Sequence, residues 1–233
     1  MLIFRQLFDE ESYTYTYLLA DSRVGEAIFI DPVKSKIEQY IQILADLSLT
    51  LKYAVDTHVH ADHVTALGDL RERLHCTSVI GAATKADCVD YKIKDGESLS
   101  FGAYSLVAIA TPGHTDDSYS FFLDVSGEKM VFTGDTLLIR GTGRTDFQNG
   151  DARMQYSSLT KKLLTLPPDT WVYPAHDYKG WTRSTIAEEK AHNPRLQVKN
   201  MAEYVALMDS LKLLNPKFMD VAVPANLACG QVK

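Results

Sequence analysis

The segment Thr57-His58-Val59-His60-Ala61-Asp62-His63 sets three imidazoles and a carboxylate side by side. Neutral imidazole and carboxylate are the side chains that take divalent first-row metals, so the chemistry to expect is metal binding. The plain alternative is a polar loop with its rings in water, which requires no partners elsewhere in the chain. Such partners exist. His114 follows the apolar run Leu106–Thr111, Asp135 follows Met130–Gly134, and His176 follows Trp171–Ala175. With Leu51–Val55 leading into the histidine cluster, four strand ends each deliver a candidate ligand. Open α/β architectures build their sites at such ends.

The elements that must position these groups follow from hydrophobic periodicity. Strands are expected at Leu2–Phe8, Tyr13–Ala20, Glu26–Asp31 (closed by Asp31-Pro32) and Leu51–Asp56. Shorter ones follow at Thr77–Gly81, Ser105–Thr111, Ser118–Asp124, Lys129–Thr133 and Trp171–Ala175. Helical spacing marks Lys34–Leu47, His63–Leu74 (starting inside the cluster), Asp151–Leu166, Thr182–Ala191 and Leu196–Leu213. Antiparallel meanders mixed with α/β units are met by two mixed sheets packed together with helices outside. Length is enough for one sizeable core, and no linker divides the 233 residues.

Bulk properties exclude several classes. A net charge of −6 without a basic run argues against nucleic acid as partner. No apolar stretch approaches the roughly 20 residues of a membrane span. The amino terminus turns acidic by Asp9-Glu10-Glu11 and is expected to be neither a secretion signal nor an Arg-rich transit peptide. Cys76, Cys88 and Cys229 are odd in number and widely spaced, which fits a reducing compartment better than a disulfide framework. A bacterial cytoplasm is the default location, or an organellar matrix for a mature eukaryotic chain.

The motif His58-Val59-His60-Ala61-Asp62-His63, followed in order by His114, Asp135 and His176, resembles the H-x-H-x-D-H signature and later ligands of the metallo-β-lactamase superfamily. The resemblance spans about residues 15–180. It implies an α+β fold, the αββα sandwich, with residues 1–233 as one domain and a short C-terminal helical extension at 195–233. Within that superfamily the chain resembles the persulfide dioxygenases, also called glutathione-dependent sulfur dioxygenases. The blocks that carry this are Thr57–His63, Phe132–Phe147 with Gly141-Thr142-Gly143-Arg144-Thr145-Asp146-Phe147, Tyr173–Gly180, and the tail Val223–Gly230. Thr65-Ala66 departs from the family, which usually has glycine at the second position. Glyoxalase II-type hydrolases share the histidine signature but usually add a longer helical C-terminal domain.

Two ligand inventories stay open in the residues themselves. A two-metal hydrolase would use His58, His60 and His114 for one ion, Asp62, His63 and His176 for the other, and Asp135 as bridge, delivering hydroxide to a glutathione thioester. The dioxygenase resemblance implies one Fe(II) on His58, His114 and Asp135, with His60, Asp62, His63 and His176 in hydrogen-bonding support. It further implies oxidation of glutathione persulfide by O2 and water to sulfite and glutathione. A sulfurtransferase (rhodanese) or sulfide-oxidising enzyme would supply the persulfide, and a homodimer is expected. Substrate contacts are expected from Arg144 and Tyr178, then Lys179 and Arg140, since the carboxylates of glutathione require positive charge and donors. Asn226 and Cys229 are further candidates for the pocket mouth. Gly141-Thr142-Gly143 reads as a turn that lets backbone pass close to the site, not as a phosphate loop. A persulfide-carrier role would need a reactive cysteine, and no lysine or arginine flanks any of the three in sequence.

Overall fold

The computed structural model describes residues 1–214 and 218–231. The first sheet runs β1 (Leu2–Asp9), β2 (Thr14–Asp21), β3 (Glu26–Ile30), β4 (Thr50–Val55), β5 (Thr77–Gly81) and β6 (Tyr91–Ile93) in that order. The second is ordered β12 (Ser184–Thr185), β11 (Trp171–Pro174), β10 (Glu128–Gly134), β9 (Tyr119–Val125), β8 (Tyr104–Ala110) and β7 (Ser98–Phe101). Both sheets are mixed. β3, β4, β5 and β6 are parallel, as are β10 and β11, and the remaining pairs are antiparallel. The helices are α1 (Ile37–Asp46), α2 (Leu67–Leu74), α3 (Ala152–Lys161), α4 (Ile186–His192), α5 (Met201–Asp209) and α6 (Met219–Leu227).

Alternation along the strands sorts the apolar side chains into three layers. Tyr17, Leu19, Ile28 and Ile30 face Phe121, Leu123, Phe132 and Tyr173 between the sheets. The opposite faces of β2 and β3 present Leu18, Ala20 and Phe29 to Tyr40 and Leu44 of α1 and to Leu67 and Leu70 of α2. Val131 and Val172 on the far side of the second sheet meet Leu159 of α3 and Tyr204 and Met208 of α5. A strand with both faces covered must be apolar on both, and β2 is buried at every position. The αββα sandwich inferred from the sequence is the observed fold.

Several boundaries differ from the periodicity reading. α2 begins at Leu67, not inside the histidine cluster. The intervening backbone is bonded elsewhere: Lys34 N donates to Val64 O, Ala66 N to Pro32 O, and Thr65 N to the Asn226 side chain. Thr182–Ala191 opens as an edge strand, β12, before Thr185 caps α4 by accepting from Glu188 N at 3.1 Å. The long helix expected over Leu196–Leu213 is a 3-10 turn at Pro194–Leu196 and then α5, capped by Asn200. β6, β7 and α6 had no clear signal: the strands are short, and α6 carries Pro224 inside it. Of the 195–233 extension, residues 215–217 and 232–233 lie outside the described residues. No helix among the described residues is long and apolar enough to cross a membrane.

The cysteine expectation is overturned. Cys88 and Cys229 form a disulfide across 141 residues, leaving Cys76 free and buried. Sequence spacing gave no hint, because the fold brings the loop after β5 against the turn that follows α6. A bridge closing so long a loop restricts the unfolded chain, a contribution of about 2–5 kcal/mol. Reduction by a phosphine should therefore lower the thermal midpoint by roughly 5–15 °C, measured by circular dichroism with and without reductant. An unchanged midpoint would show that the bridge contributes nothing to stability.

Candidate metal centre

Five strand ends meet at one edge of the sandwich. The parallel pair β3–β4, with Ile30 opposite Val55, delivers Asp31 and the loop from Asp56 to Thr65. The parallel pair β10–β11 delivers Asp135 and His176. The loop after β8 supplies His114. Gly134 makes the approach possible: it has φ +52°, and a Cβ there would stand 2.7 Å from Thr57 Oγ1.

One acceptor atom from each of His58, His114 and Asp135 lies within 4.8 Å of the other two. Hydrogen bonds assign the protons of these imidazoles. His114 Nδ1 is 2.7 Å from Arg144 O, a carbonyl that can only accept, so Nδ1 carries a proton and Nε2 is the nitrogen left to face the centre. Thr57 Oγ1 gives its one hydrogen to Asp31 Oδ2 at 3.1 Å and therefore accepts from His58 Nδ1 at 3.0 Å. That leaves His58 Nε2 as a lone pair. Burial, reinforced by His60 and His114, holds the His58 pKa well below the usual histidine value, so the ring stays neutral as a ligand must. His114 Nε2 stands 3.5 Å from Asp135 Oδ2. Two acceptors facing each other repel unless a cation lies between them. Ligands about 2.1 Å from a shared ion sit about 3.0–3.5 Å apart at octahedral to tetrahedral angles, so the donor set fits one metal ion.

His176 is engaged on both nitrogens. Nδ1 lies 2.6 Å from Asp135 Oδ1 and Nε2 2.7 Å from Asp62 Oδ2. Burial opposes its charge, but the two carboxylates prevail and hold its pKa well above the ordinary value. Asp135 and Asp62 are correspondingly held low against burial, Asp135 and Asp62 each chiefly by His176. His60, Asp62 and His63 form a second cluster within 4.8 Å, where His60 Nδ1 and His63 Nε2 are buried without a hydrogen-bond partner. Burial pushes the His60 pKa down, yet Asp31, 3.0 Å from His60 Nε2, outweighs it and raises the value to about 9.

Asp31 is the functional residue that the sequence reading passed over as a strand terminator. Buried, with φ +52°, it accepts from Thr57 N, Thr57 Oγ1 and His60 Nε2 and so orients two rings at once. Thr14 is a second omission, its Oγ1 within 3.2 Å of Asp62, His63 and His176. An Asp at the end of a buried strand, facing a histidine cluster, is the signal that could have marked the first.

A cavity of about 540 Å³ opens over His114, Asp135 and His176, a volume suited to a small molecule. Tyr178, Lys179, Arg140 and Arg144 all line it. Arg144, however, spends its guanidinium on Asp146 at 2.6 and 2.7 Å, on Leu214 O at 2.6 Å and on the Phe147 ring, so it braces the cavity lip. Arg140 is paired with Glu188 and Glu189. Tyr178, 65% exposed, lies parallel to the His176 ring. Lys179 and the unforeseen Arg195 have no carboxylate partner among the described residues, although Arg195 donates to Thr142. Two expectations are corrected. Asn226 sits behind the ligand loop, bonded to its backbone, and Cys229 is buried in the disulfide; neither lines the cavity. A persulfide carried on Cys229 is incompatible with that bond.

The Gly141–Gly143 turn does bring backbone close to the centre. A Cβ at position 143 would stand 2.4 Å from Asp135 O and 2.7 Å from His114 Nδ1. Gly143→Ala should therefore displace the His114 ring and weaken metal binding about tenfold or more, measured by competition with a coloured chelator; unchanged affinity would refute the close approach.

Comparison with known proteins agrees with the geometry. The metallo-beta-lactamase superfamily model matches residues 10–176. The mitochondrial persulfide dioxygenase ETHE1 of Bos taurus is 48% identical over 230 residues, covering 98% of this chain and 89% of that protein. The crystal structure of ETHE1 from Myxococcus xanthus matches with a TM-score of 0.94 and 52% identity, covering 98% of this chain and all of that one. A hydroxyacylglutathione hydrolase of Francisella tularensis subsp. novicida is more distant, 34% identical over 180 residues, or 76% of this chain and 68% of that protein. The chain belongs to the metallo-beta-lactamase superfamily and, within it, to the persulfide dioxygenase family.

Proposed function

We propose that the chain is a persulfide dioxygenase that holds one ferrous ion on His58, His114 and Asp135 and converts glutathione persulfide, O2 and water to glutathione and sulfite. The terminal sulfur gives up four electrons to O2, and the three sulfite oxygens come from O2 and water. The observation that carries the reading is the convergence of two proton-assigned imidazoles and one carboxylate on a single point while His176 is committed to Asp62 and Asp135. Two imidazoles and a carboxylate form the facial set used by non-haem iron oxygenases. A ferrous ion there supplies open coordination positions and the one-electron chemistry that triplet oxygen needs to react with closed-shell sulfur.

The chain's own residues do the rest. Arg144 O and Thr57 Oγ1 keep the two imidazoles turned toward the centre. His176, cationic between two carboxylates, fixes Asp135 and leaves its second oxygen toward His114. Lys179 and Arg195 are the cations of the cavity wall free to receive the carboxylates of a glutathione moiety. Tyr178 covers His176 at the mouth.

A second reading is favoured by the unpaired His60 Nδ1 and His63 Nε2: a two-metal thioester hydrolase using the neighbouring cluster. Against it stands the greater likeness to a persulfide dioxygenase, 48% identical over 98% of the chain, than to a hydroxyacylglutathione hydrolase, 34% identical over 76%.

Oxygen uptake separates the two. The anaerobically iron-loaded protein should consume O2 on addition of glutathione persulfide and form sulfite, with one iron per chain, and zinc loading should abolish uptake. Two bound metals with thioester hydrolysis and no uptake would establish the second reading. Asp135→Ala should weaken iron binding by at least about a hundredfold in chelator competition. Lys179→Ala and Arg195→Ala should each raise KM about 3–10-fold with kcat little changed; a fall in kcat at constant KM would remove them from substrate binding.

A further inference from the structure

We infer that Asn226, on the last turn of α6, is a positioning residue for the metal centre: its amide clamps the backbone of the ligand loop and sets where His60, Asp62 and His63 stand. Nδ2 donates to His60 O at 2.9 Å and to His63 O at 2.8 Å, and Oδ1 accepts from Thr65 N at 2.9 Å. Three bonds from one side chain thus end on one short segment, and the side chain itself is buried. The segment needs them. α2 does not begin until Leu67, so these backbone groups sit outside its hydrogen-bond ladder. Buried backbone groups without partners are costly, so the loop conformation depends on what meets it.

The clamp is itself held in place. Cys229, three positions beyond Asn226, is bonded to Cys88, and its carbonyl accepts from Gly68 N at 3.0 Å. Gly230 lies so close that a Cβ there would stand 2.0 Å from Thr65 O. Lys34 Nζ donates to Gly230 O at 2.7 Å. The consequence reaches the metal ligands through named contacts. The loop places Asp62, Asp62 holds His176 Nε2, and His176 Nδ1 holds Asp135. A residue far along the chain and outside the cavity wall therefore acts on ligand geometry through the loop and never touches substrate.

This inference rests on the metal-centre reading, and the test tells their failures apart. Metal-free parent, Asn226→Ala and Asn226→Asp proteins are titrated with ferrous iron against a coloured chelator at 10 °C, with folding checked by circular dichroism. The aspartate variant keeps the acceptor for Thr65 N but loses the two donors. Both variants should stay folded and bind iron about 10–100-fold more weakly, and the loaded enzymes should lose kcat with KM unchanged. A folded variant that binds iron within twofold of the parent overturns the inference even if its melting temperature falls, since a merely structural amide affects stability alone. If neither variant folds, hydrogen exchange of the Asn226 side-chain amide is followed in the parent with zinc as a diamagnetic ion. Exchange slowed tenfold or more on metal binding supports the coupling, and unchanged exchange overturns it. A parent that binds no metal fails before any substitution and removes the metal-centre reading, and this inference with it.

Discussion

Everything at the working edge of this protein follows from crowding imidazoles and carboxylates where water is largely excluded. His58, His60, His63 and His176 are buried, with Asp31 and Asp56 beneath them. Uncompensated charge or an unpaired polar group in such a place is costly. The chain meets most of the constraint by giving these nitrogens defined partners, His60 Nδ1 and His63 Nε2 excepted. Carbonyl and hydroxyl acceptors take the Nδ1 protons of His114 and His58, Asp31 takes the Nε2 proton of His60, and two carboxylates share His176. Burial also pushes the Asp56 carboxyl up to about 8, against the opposing pull of His60. Among what remains open are the two lone pairs and the carboxylate oxygen that face a common point, the candidate metal site of His58, His114 and Asp135.

The two-sheet architecture makes such crowding possible. Parallel neighbours present their C-terminal ends on the same side, so β3 with β4 and β10 with β11 each bring two polar side chains to one edge. The apolar layer between the sheets, from Tyr17 and Ile30 to Phe132 and Tyr173, holds the two pairs face to face. Strand ends place Asp31, Asp135 and His176, while the loops after β4 and β8 carry His58 and His114. Thr57 illustrates the economy of this edge: its hydroxyl links Asp31 to His58, and its backbone N–H also bonds to Asp31.

The C-terminal region does two different jobs. Residues 213–214 with Phe218 form one lip of the cavity and are tied to it by Arg144. Beyond them, α6 turns behind the ligand loop and is locked there by Cys88–Cys229. The arginines expected to greet substrate are thereby diverted to holding the lip and α4, and Lys179 with Arg195 inherit the free positive charge facing the cavity.

The sandwich, the strand ends at which ligands appear, and the seven candidate ligands of the histidine motif and the later strand ends are legible in the sequence, whereas Asp31 and Asp56 are not. Those features are local: hydrophobic alternation writes a strand into its own residues, and His58-Val59-His60-Ala61-Asp62-His63 carries its chemistry within a single loop. Only the tertiary structure decided which nitrogen of each ring is free, that His176 is spent on carboxylates, that Arg144 is spent on Asp146, and that Asn226 and Cys229 face away from the cavity. Apart from the Arg144–Asp146 pair, each of these depends on a partner far away in the chain, as Arg144 O is for His114 and Cys88 is for Cys229. A side chain's type can be read from the sequence, but the use of its donors and lone pairs depends on what the fold sets within about 3 Å of them.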